Sequence, residues 1–247
     1  MTVKREYSNG SILVSGYFDE FTGAPVVDSN LVLWLDAGQT SSYPGSGTTW
    51  TDLSTNGNNG TLINGPTFNS LNGGSIAFDG VNDRGTFTTP ITSTSNQTYE
   101  IWTNAIASPS AAGGYAYLLH NNNFNTSTGA SYLTIGIQPT QQYYAALNGA
   151  FATMSSGVTA NNSNIVQIVL TWDGALQKAY INSVLKVSES LTTTPQNFST
   201  TTSFCDYGAS TYRPMLGNIY SIKIYNKALT EAEISQNFNA LRGRYGI

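Results

Sequence analysis

The sequence predicts an all-β fold, an antiparallel two-sheet sandwich closed by one short C-terminal helix. Three observations predict it. Only 10% of the 247 residues are charged, and Ser, Thr, Asn and Gly fill the gap; these residues favour turns and short strands over long helices, because their side chains compete for backbone hydrogen bonds or add backbone freedom. From residue 31 onward, short apolar runs alternate with turn clusters such as Gly45-Ser46-Gly47, Asn56 to Gly60, Asn121 to Asn123 and Asn161 to Asn164, the spacing of a sandwich. Last, the stretch LGNIYSIKIYNKALTEAEISQNFNAL at 216–241 changes period from strand to helix.

Taken in order, residues 1–29 form an arm or edge strand: Ile12, Val14 and Tyr17 to Phe18 suit a short strand, and Gly23-Ala24-Pro25 reads as a turn. Residues 30–247 form one domain, within the range of a single all-β sandwich. Val166, Ile168 and Leu170 alternate with Gln167, Val169 and Thr171, and Asp173-Gly174 supplies positive φ angles for a hairpin. Ala179 and Ile181 then alternate with Lys178, Tyr180 and Asn182, and a second turn at Asn182-Ser183 leads into Val184 to Val187. The low-complexity runs at 192–203 and Ser93 to Thr98 read as surface loops. In the closing stretch Ile219, Ser221, Lys223 and Tyr225 alternate with Tyr220, Ile222 and Ile224. Thr230 and Glu233 then have the spacing of a capping box, Ile234, Phe238 and Leu241 share one helical face, and Gly243 is placed to end the helix. No heptad or fixed-period repeat is present.

The pattern G-x-I-x-x-I-K-I-Y-N-K-A-L-T-x-x-E-I resembles the closing segment of laminin-G-like, concanavalin-A-like jelly-roll domains, of the kind found in tailed-phage virion proteins. Residues 31–63 resemble that family's opening strand and Asp-Ser-Asn-Gly turn. Residues 75–87, SIAFDGVNDRGTF, resemble its FDG-x-x-D turn, residues 98–102, TYEIW, the strand after it, and residues 165–187 its paired strands joined by Trp-Asp-Gly. The resemblance covers about residues 30–243 in order and implies a jelly-roll sandwich. The family usually shows Asn-Gly where this chain has Asn182-Ser183, a departure expected to shift the turn type. The resemblance also implies an acidic calcium ligand after the closing-strand Ile in many members; Tyr220 and Ser221 stand there instead.

A net charge of −4 and a pI near 4.8 give no basic stripe for phosphates, which argues against nucleic-acid binding. No apolar run approaches the roughly 18 to 20 residues that span a bilayer. The start, MTVKREYSNGSILVSGYF, breaks its apolar part with Ser and Gly and does not read as a secretory signal. A polar, extracellular-style domain without an export signal leads to an expected place on a virion surface, reached by cell lysis. The single cysteine, Cys205, forms no internal disulfide and reads as a core residue.

Glycoside hydrolysis usually needs two facing carboxyl groups, which a strand presents as E-x-D or E-x-x-x-E. No such strand occurs. Glu100 stands alone in TYEIW and reads as a hydrogen-bonded or rim carboxylate, and His120, beside an Asn-rich loop, as a surface or rim histidine. The chain is therefore expected not to be an enzyme, and no cofactor is required. Calcium is the one ion the residues allow. Asp52, Ser54 and Asn56 alternate oxygens as a calcium turn does, and Asp79, Asn82 and Asp83 form a second, poorer one; Asx side chains bonding their own turns are the alternative. Trp50, Tyr143, Tyr144, Tyr207 and Tyr212 are candidate glycan or partner contacts, with Tyr43, Tyr115 and Tyr117 in similar loops. Trp34, Trp102 and Trp172 read as core. The expected role is a non-enzymatic virion surface protein, a capsid decoration or a tail or fibre subunit of a tailed phage. Residues 1–29 would join it to other virion proteins, in many copies or as a homo-oligomer. The alternative is a lectin module for host-surface or environmental polysaccharide, and a third, weaker reading is a glycoside hydrolase.

Overall fold

The computed structural model describes residues 7–8, 13–14, 25–88, 90, 96–107, 112–121, 133–147, 150–153, 159–161, 163–191, 201–205 and 213–247. Near the N-terminus β1 (Tyr7–Ser8) and β2 (Leu13–Val14) pair with each other and with neither main sheet. There follow β3 (Leu31–Asp36), β4 (Thr49–Trp50), β5 (Gly60–Ile63), β6 (Thr67–Asn69), β7 (Ser75–Asp79), β8 (Arg84–Thr88), β9 (Gln97–Thr103) and β10 (Ile106–Ala107). Next come β11 (Ala116–Asn121), β12 (Leu133–Ile137), β13 (Tyr143–Leu147), β14 (Ala150–Thr153), β15 (Val166–Trp172), β16 (Leu176–Ile181) and β17 (Val184–Ser190). The chain closes with β18 (Thr201–Phe204), β19 (Met215–Tyr225) and one helix, α1 (Glu231–Tyr245).

Two antiparallel sheets form the sandwich. One runs β17-β16-β15-β9-β19-β7-β6, with β10 and β3 also pairing β19, and the other runs β14-β13-β12-β11-β18-β8-β5-β4. The eleven-residue β19 is the hub, because it pairs with β7 and β10 through its first half, β3 through its second, and β9 along most of its length. Strand alternation then sorts side chains to two faces. Ile181, Ile168, Ile101, Ile222 and Leu35 stand in one row across five strands and pack into the core between the sheets. One residue along, Tyr180, Val169, Glu100, Lys223 and Trp34 form the matching row on the outer face.

That outer face is covered by α1, which builds a second core. Thr230 caps the helix and forms the expected capping box with Glu233, an arrangement that satisfies orphan N–H groups at the helix start. Ile234 and Leu241 are fully buried, and Phe238 stacks on Trp102 at 5.7 Å. Gly243 does not end the helix; it continues to Tyr245, and Gly246 caps it with a left-handed φ of 74°. Tyr220 packs edge-on against Tyr245, and the Ser221 hydroxyl accepts a hydrogen bond from Trp34 Nε1. The positions without an acidic residue are thus interior positions beneath the helix. Val26 and Val27 are buried in the same cluster, so the packed body begins before residue 30.

At the centre of this second core Glu100 and Lys223 lie directly opposite each other on β9 and β19, both fully buried, with Nζ 3.0 Å from Oε1. Glu100 is therefore interior, not a rim carboxylate. Its Oε1 also accepts from Trp102 Nε1 at 2.9 Å and its Oε2 from Asn237 Nδ2 at 2.8 Å. Asn237 donates as well to the Tyr225 hydroxyl and accepts from Val27 N. At the far end of α1 the Arg244 guanidinium donates to both oxygens of buried Asp36. Gly73 makes room for it, since a Cβ there would meet Arg244 Cγ at 2.4 Å.

Four local expectations are revised. Thr201–Phe204, within a run read as surface loop, is β18, an interior strand between β11 and β8; its Thr202, Ser203 and Phe204 are buried. Gln97 and Thr98, also read as loop, begin β9. Asn182 and Ser183 both take positive φ, 50° and 61°, as a primed two-residue hairpin turn requires, so Ser183 adopts the turn that glycine would favour. Gln167 holds it there, receiving Ser183 N on its side chain and Asn182 N on its carbonyl. At the other hairpin only Gly174 has positive φ, while the Asp173 carboxylate accepts from Ala175 N and Leu176 N. Ile12, Tyr17, Phe18, Gly23 and Ala24 lie outside the described residues.

Removing one partner of a buried ion pair leaves an uncompensated charge. Glu100→Gln is expected to destabilise the fold by about 3–5 kcal/mol, and Glu100→Gln with Lys223→Met to recover most of that loss. Chemical denaturation of the wild type, the single variants and the double variant measures the coupling.

Candidate functional site

The sequence-predicted calcium turn is a hydrogen-bonded staple. Asp52 Oδ1 accepts from Trp34 N at 2.8 Å and Ser54 N at 2.9 Å; Oδ2 accepts from the Ser54 hydroxyl at 2.6 Å and Asn58 N at 2.9 Å. Four donors thus use the carboxylate. Asn56 Nδ2 donates to Leu31 O and Asn58 Nδ2 to Val32 O, so loop 52–58 is sewn to β3. The geometry follows the Asx-turn alternative, in which side-chain oxygens bind their own backbone.

The second turn is similar. Asp79 Oδ1 accepts from Val81 N and Asn82 N, and Asp83 Oδ2 accepts from Asp79 N. Asn82 contributes its carbonyl, which accepts from Asn64 Nδ2. Burial raises the Asp83 carboxyl above its ordinary value, against the lowering effect of the Asp79 N–H, and the Asp79 charge adds to the rise. Among the described residues no three His, Cys, Asp or Glu side chains converge on one point.

The aromatic candidates separate by face. Trp50 and Tyr143 are fully buried in the core between the sheets, and Trp50 meets Phe204 edge-on at 5.9 Å; neither presents a ring to a ligand from solvent. Tyr43 is buried as well, its hydroxyl donating to Gly47 O. Tyr144 is also buried, on the outer face of the eight-stranded sheet, beneath the half-buried Tyr115. Tyr207 and Tyr212 lie outside the described residues. Cys205 is buried and forms no disulfide. His120 is fully buried, not at a rim: it stacks on Tyr117 at 4.7 Å and its Nδ1 lies 3.1 Å from Thr134 Oγ1. Burial, then the Arg213 charge, pushes its pKa down to about 3, so it is neutral at physiological pH and unsuited to act as a base there.

Two surfaces have the form of a ligand site. The first is a polar cleft of about 690 Å³ beside the C-terminus, within the size range of small-molecule sites. Asn72, Thr159, Asn161, Ser163, Asn164 and Asn182 supply its amides and hydroxyls, and Tyr245 and Ile247 border it. Asn161 Oδ1 accepts from Ser163 N and Asn164 N, which shapes the wall. Asn182 Oδ1 accepts from Gln167 N. Among the described residues none engages the side-chain carboxamide of Asn164, an exposed residue. The cleft is not legible in the sequence because its wall comes from four separate segments. The visible signal was the Asn161 to Asn164 cluster, read as a turn.

The second surface lies on the outer face of the eight-stranded sheet. Arg213 stands 5.1 Å from the ring centres of both Tyr115 and Tyr117 and donates to the Tyr117 hydroxyl at 2.7 Å. The Tyr117 and Tyr144 hydroxyls also bond each other. None of the eight strands of this sheet carries Asp or Glu.

Residues 78–235 match the concanavalin A-like lectin/glucanases superfamily. The chain belongs to that family. Among solved structures this concanavalin A-like domain is similar to Trypanosoma rangeli sialidase, with a TM-score of 0.64 and 17% identity over 90% of this chain and 34% of that one. It is also similar to the binding domain of botulinum neurotoxin serotype D, with a TM-score of 0.64 and 14% identity over 86% of this chain and 52% of that one. The chain thus spans about a third of the sialidase and half of the neurotoxin domain, and at these identities the likeness is one of fold. No curated protein sequence matches it.

Because Asp52 satisfies four donors, Asp52→Ala is expected to destabilise the concanavalin A-like domain by about 2–4 kcal/mol, as buried donors left unpaired cost about 1–3 kcal/mol each with partial relaxation. The wild-type melting temperature should not move on adding EDTA. Thermal unfolding of both proteins, with and without chelator, measures both outcomes.

Proposed function

We propose that this chain is a non-enzymatic adhesion module that binds neutral saccharide, displayed on the outside of a larger particle. The cleft beside the C-terminus carries the reading. Its lining of carboxamides and hydroxyls can both donate to and accept from sugar hydroxyls, and its volume suits a mono- or disaccharide. Family membership and the resemblance to a neurotoxin's binding domain support a recognition role. The non-enzymatic part is supported by the acid-free strands of the eight-stranded sheet and by the engagement of Glu100 beneath α1, since glycosidic cleavage usually needs two facing carboxyl groups.

Display on a tailed-phage virion is the setting we infer for it, with residues 1–29 attaching the domain in many copies to capsid or tail proteins. The separate ribbon of β1 and β2, paired with neither main sheet, supports an attachment role for that segment. Mass spectrometry and microscopy of purified virions test the setting; absence of the protein from every particle would refute it.

A glycan array tests the binding. Neutral glycans should bind equally with and without chelator, because the Asp52 carboxylate is fully engaged by protein donors. Asn164→Ala should weaken binding about tenfold, the equivalent of one lost hydrogen bond of roughly 1.4 kcal/mol. A wild-type protein that retains no glycan on the array overturns the saccharide reading.

A further inference from the structure

Arginine is always charged, and its planar fork pairs with carboxylates in two-point contacts. Where it is built into a structural role it normally meets an acidic side chain, as Arg244 does with Asp36. Arg213 does not. Among the described residues no carboxylate lies within ion-pair reach of it, the single hydrogen bond of its guanidinium runs from Nη1 to Tyr117, and its Nε is buried without a partner. The strands beneath it carry no acid at all, and His120, stacked against Tyr117, adds no second charge because it is neutral. Tyr115, half-buried, leaves part of its surface beside the guanidinium.

We infer that Arg213, with Tyr115 and Tyr117, forms a second ligand site that takes the carboxylate of an acidic saccharide. The guanidinium supplies the counter-charge and the two-point contact, while Tyr115 offers an aromatic surface to the sugar ring beside that carboxylate. The site is separate from the Asn-lined cleft, which is walled by other residues, and it does not depend on that cleft binding sugar. A purely structural arginine, clamped between two tyrosines by cation–π contact, would be indifferent to ligand charge.

Trigalacturonate and its methyl ester, titrated by calorimetry into the full chain, separate the two roles. The acid should bind, and the ester at least tenfold more weakly. Arg213→Gln should abolish binding of the acid, Arg213→Lys should weaken it by keeping the charge without the fork, and Tyr115→Ala should weaken it through loss of the ring contact. Neutral-glycan binding at the cleft should be unchanged in all three. Should a variant fail to fold, the Nε–H resonance of wild-type Arg213 provides the second readout: it should shift with trigalacturonate and stay still with the ester. Equal affinity for acid and ester, no binding of the acid, or an unmoved resonance overturns the proposal. Displacement by acetate at the same concentration as trigalacturonate overturns its saccharide part.

Discussion

The ion pair between Glu100 and Lys223, sealed between the nine-stranded sheet and α1, is the constraint around which the rest of the structure is arranged. A buried carboxylate and ammonium are tolerated only when their remaining donors and acceptors are met. Trp102 and Asn237 do this for Glu100, and the Trp34 ring lies 5.6 Å from Lys223 Nζ. Each of these partners fixes an element: Trp102 shares β9 with the carboxylate, Trp34 sets β3 against β19, and Asn237 fixes the rotation of α1. Through its own carbonyl oxygen Asn237 also fixes the chain at Val27. A one-residue slip of β19 against β9 would carry Lys223 to the opposite face, so the pair specifies register as well as position.

This arrangement makes the centre of the nine-stranded sheet a layer buried on both faces. Its inner row of Ile181, Ile168, Ile101, Ile222 and Leu35 meets the other sheet, and its outer row meets the helix. Such strands lose the clean alternation of a half-solvated sheet; β9 and β15 are buried at every position. Arg244 pins the other end of α1 to Asp36, so the helix is held by polar contacts at its middle and end and by apolar packing between them.

How much of this could be read from residues alone follows from the range of the interactions. The capping box, the helical face and the hairpins around 173 and 183 depend on neighbours three or four apart, and the sequence showed them. β18 was hidden because TTTPQNFSTTTS has the composition of a loop; its strand identity comes from pairing with β11 and β8, far away in sequence. The Asp52 turn was legible as an oxygen-rich motif, but whether those oxygens face an ion or an amide depends on β3, eighteen to twenty-six residues away. The aromatic candidates failed for a related reason. Trp50 and Tyr143 stand next to turn residues, yet their strand faces point inward, and only the pairing register decides that.

Charge is segregated in consequence. The nine-stranded sheet holds Glu100, Lys223 and Asp36 under the helix, where each is paired, while the strands of the eight-stranded sheet hold no acid, carry Arg84 on β8 and are flanked by Arg213. With no acid on its strands, the eight-stranded sheet leaves its potential to cationic groups, Arg84 on β8 and the flanking Arg213. The Asn-lined cleft, in contrast, is uncharged among its described lining residues. Recognition there, as proposed, would rest on the direction of amide and hydroxyl hydrogen bonds, which salt screens little compared with contacts between exposed charges. On the proposed reading, the two surfaces would select ligands by different physics on one scaffold, hydrogen-bond direction in the cleft and charge at Arg213.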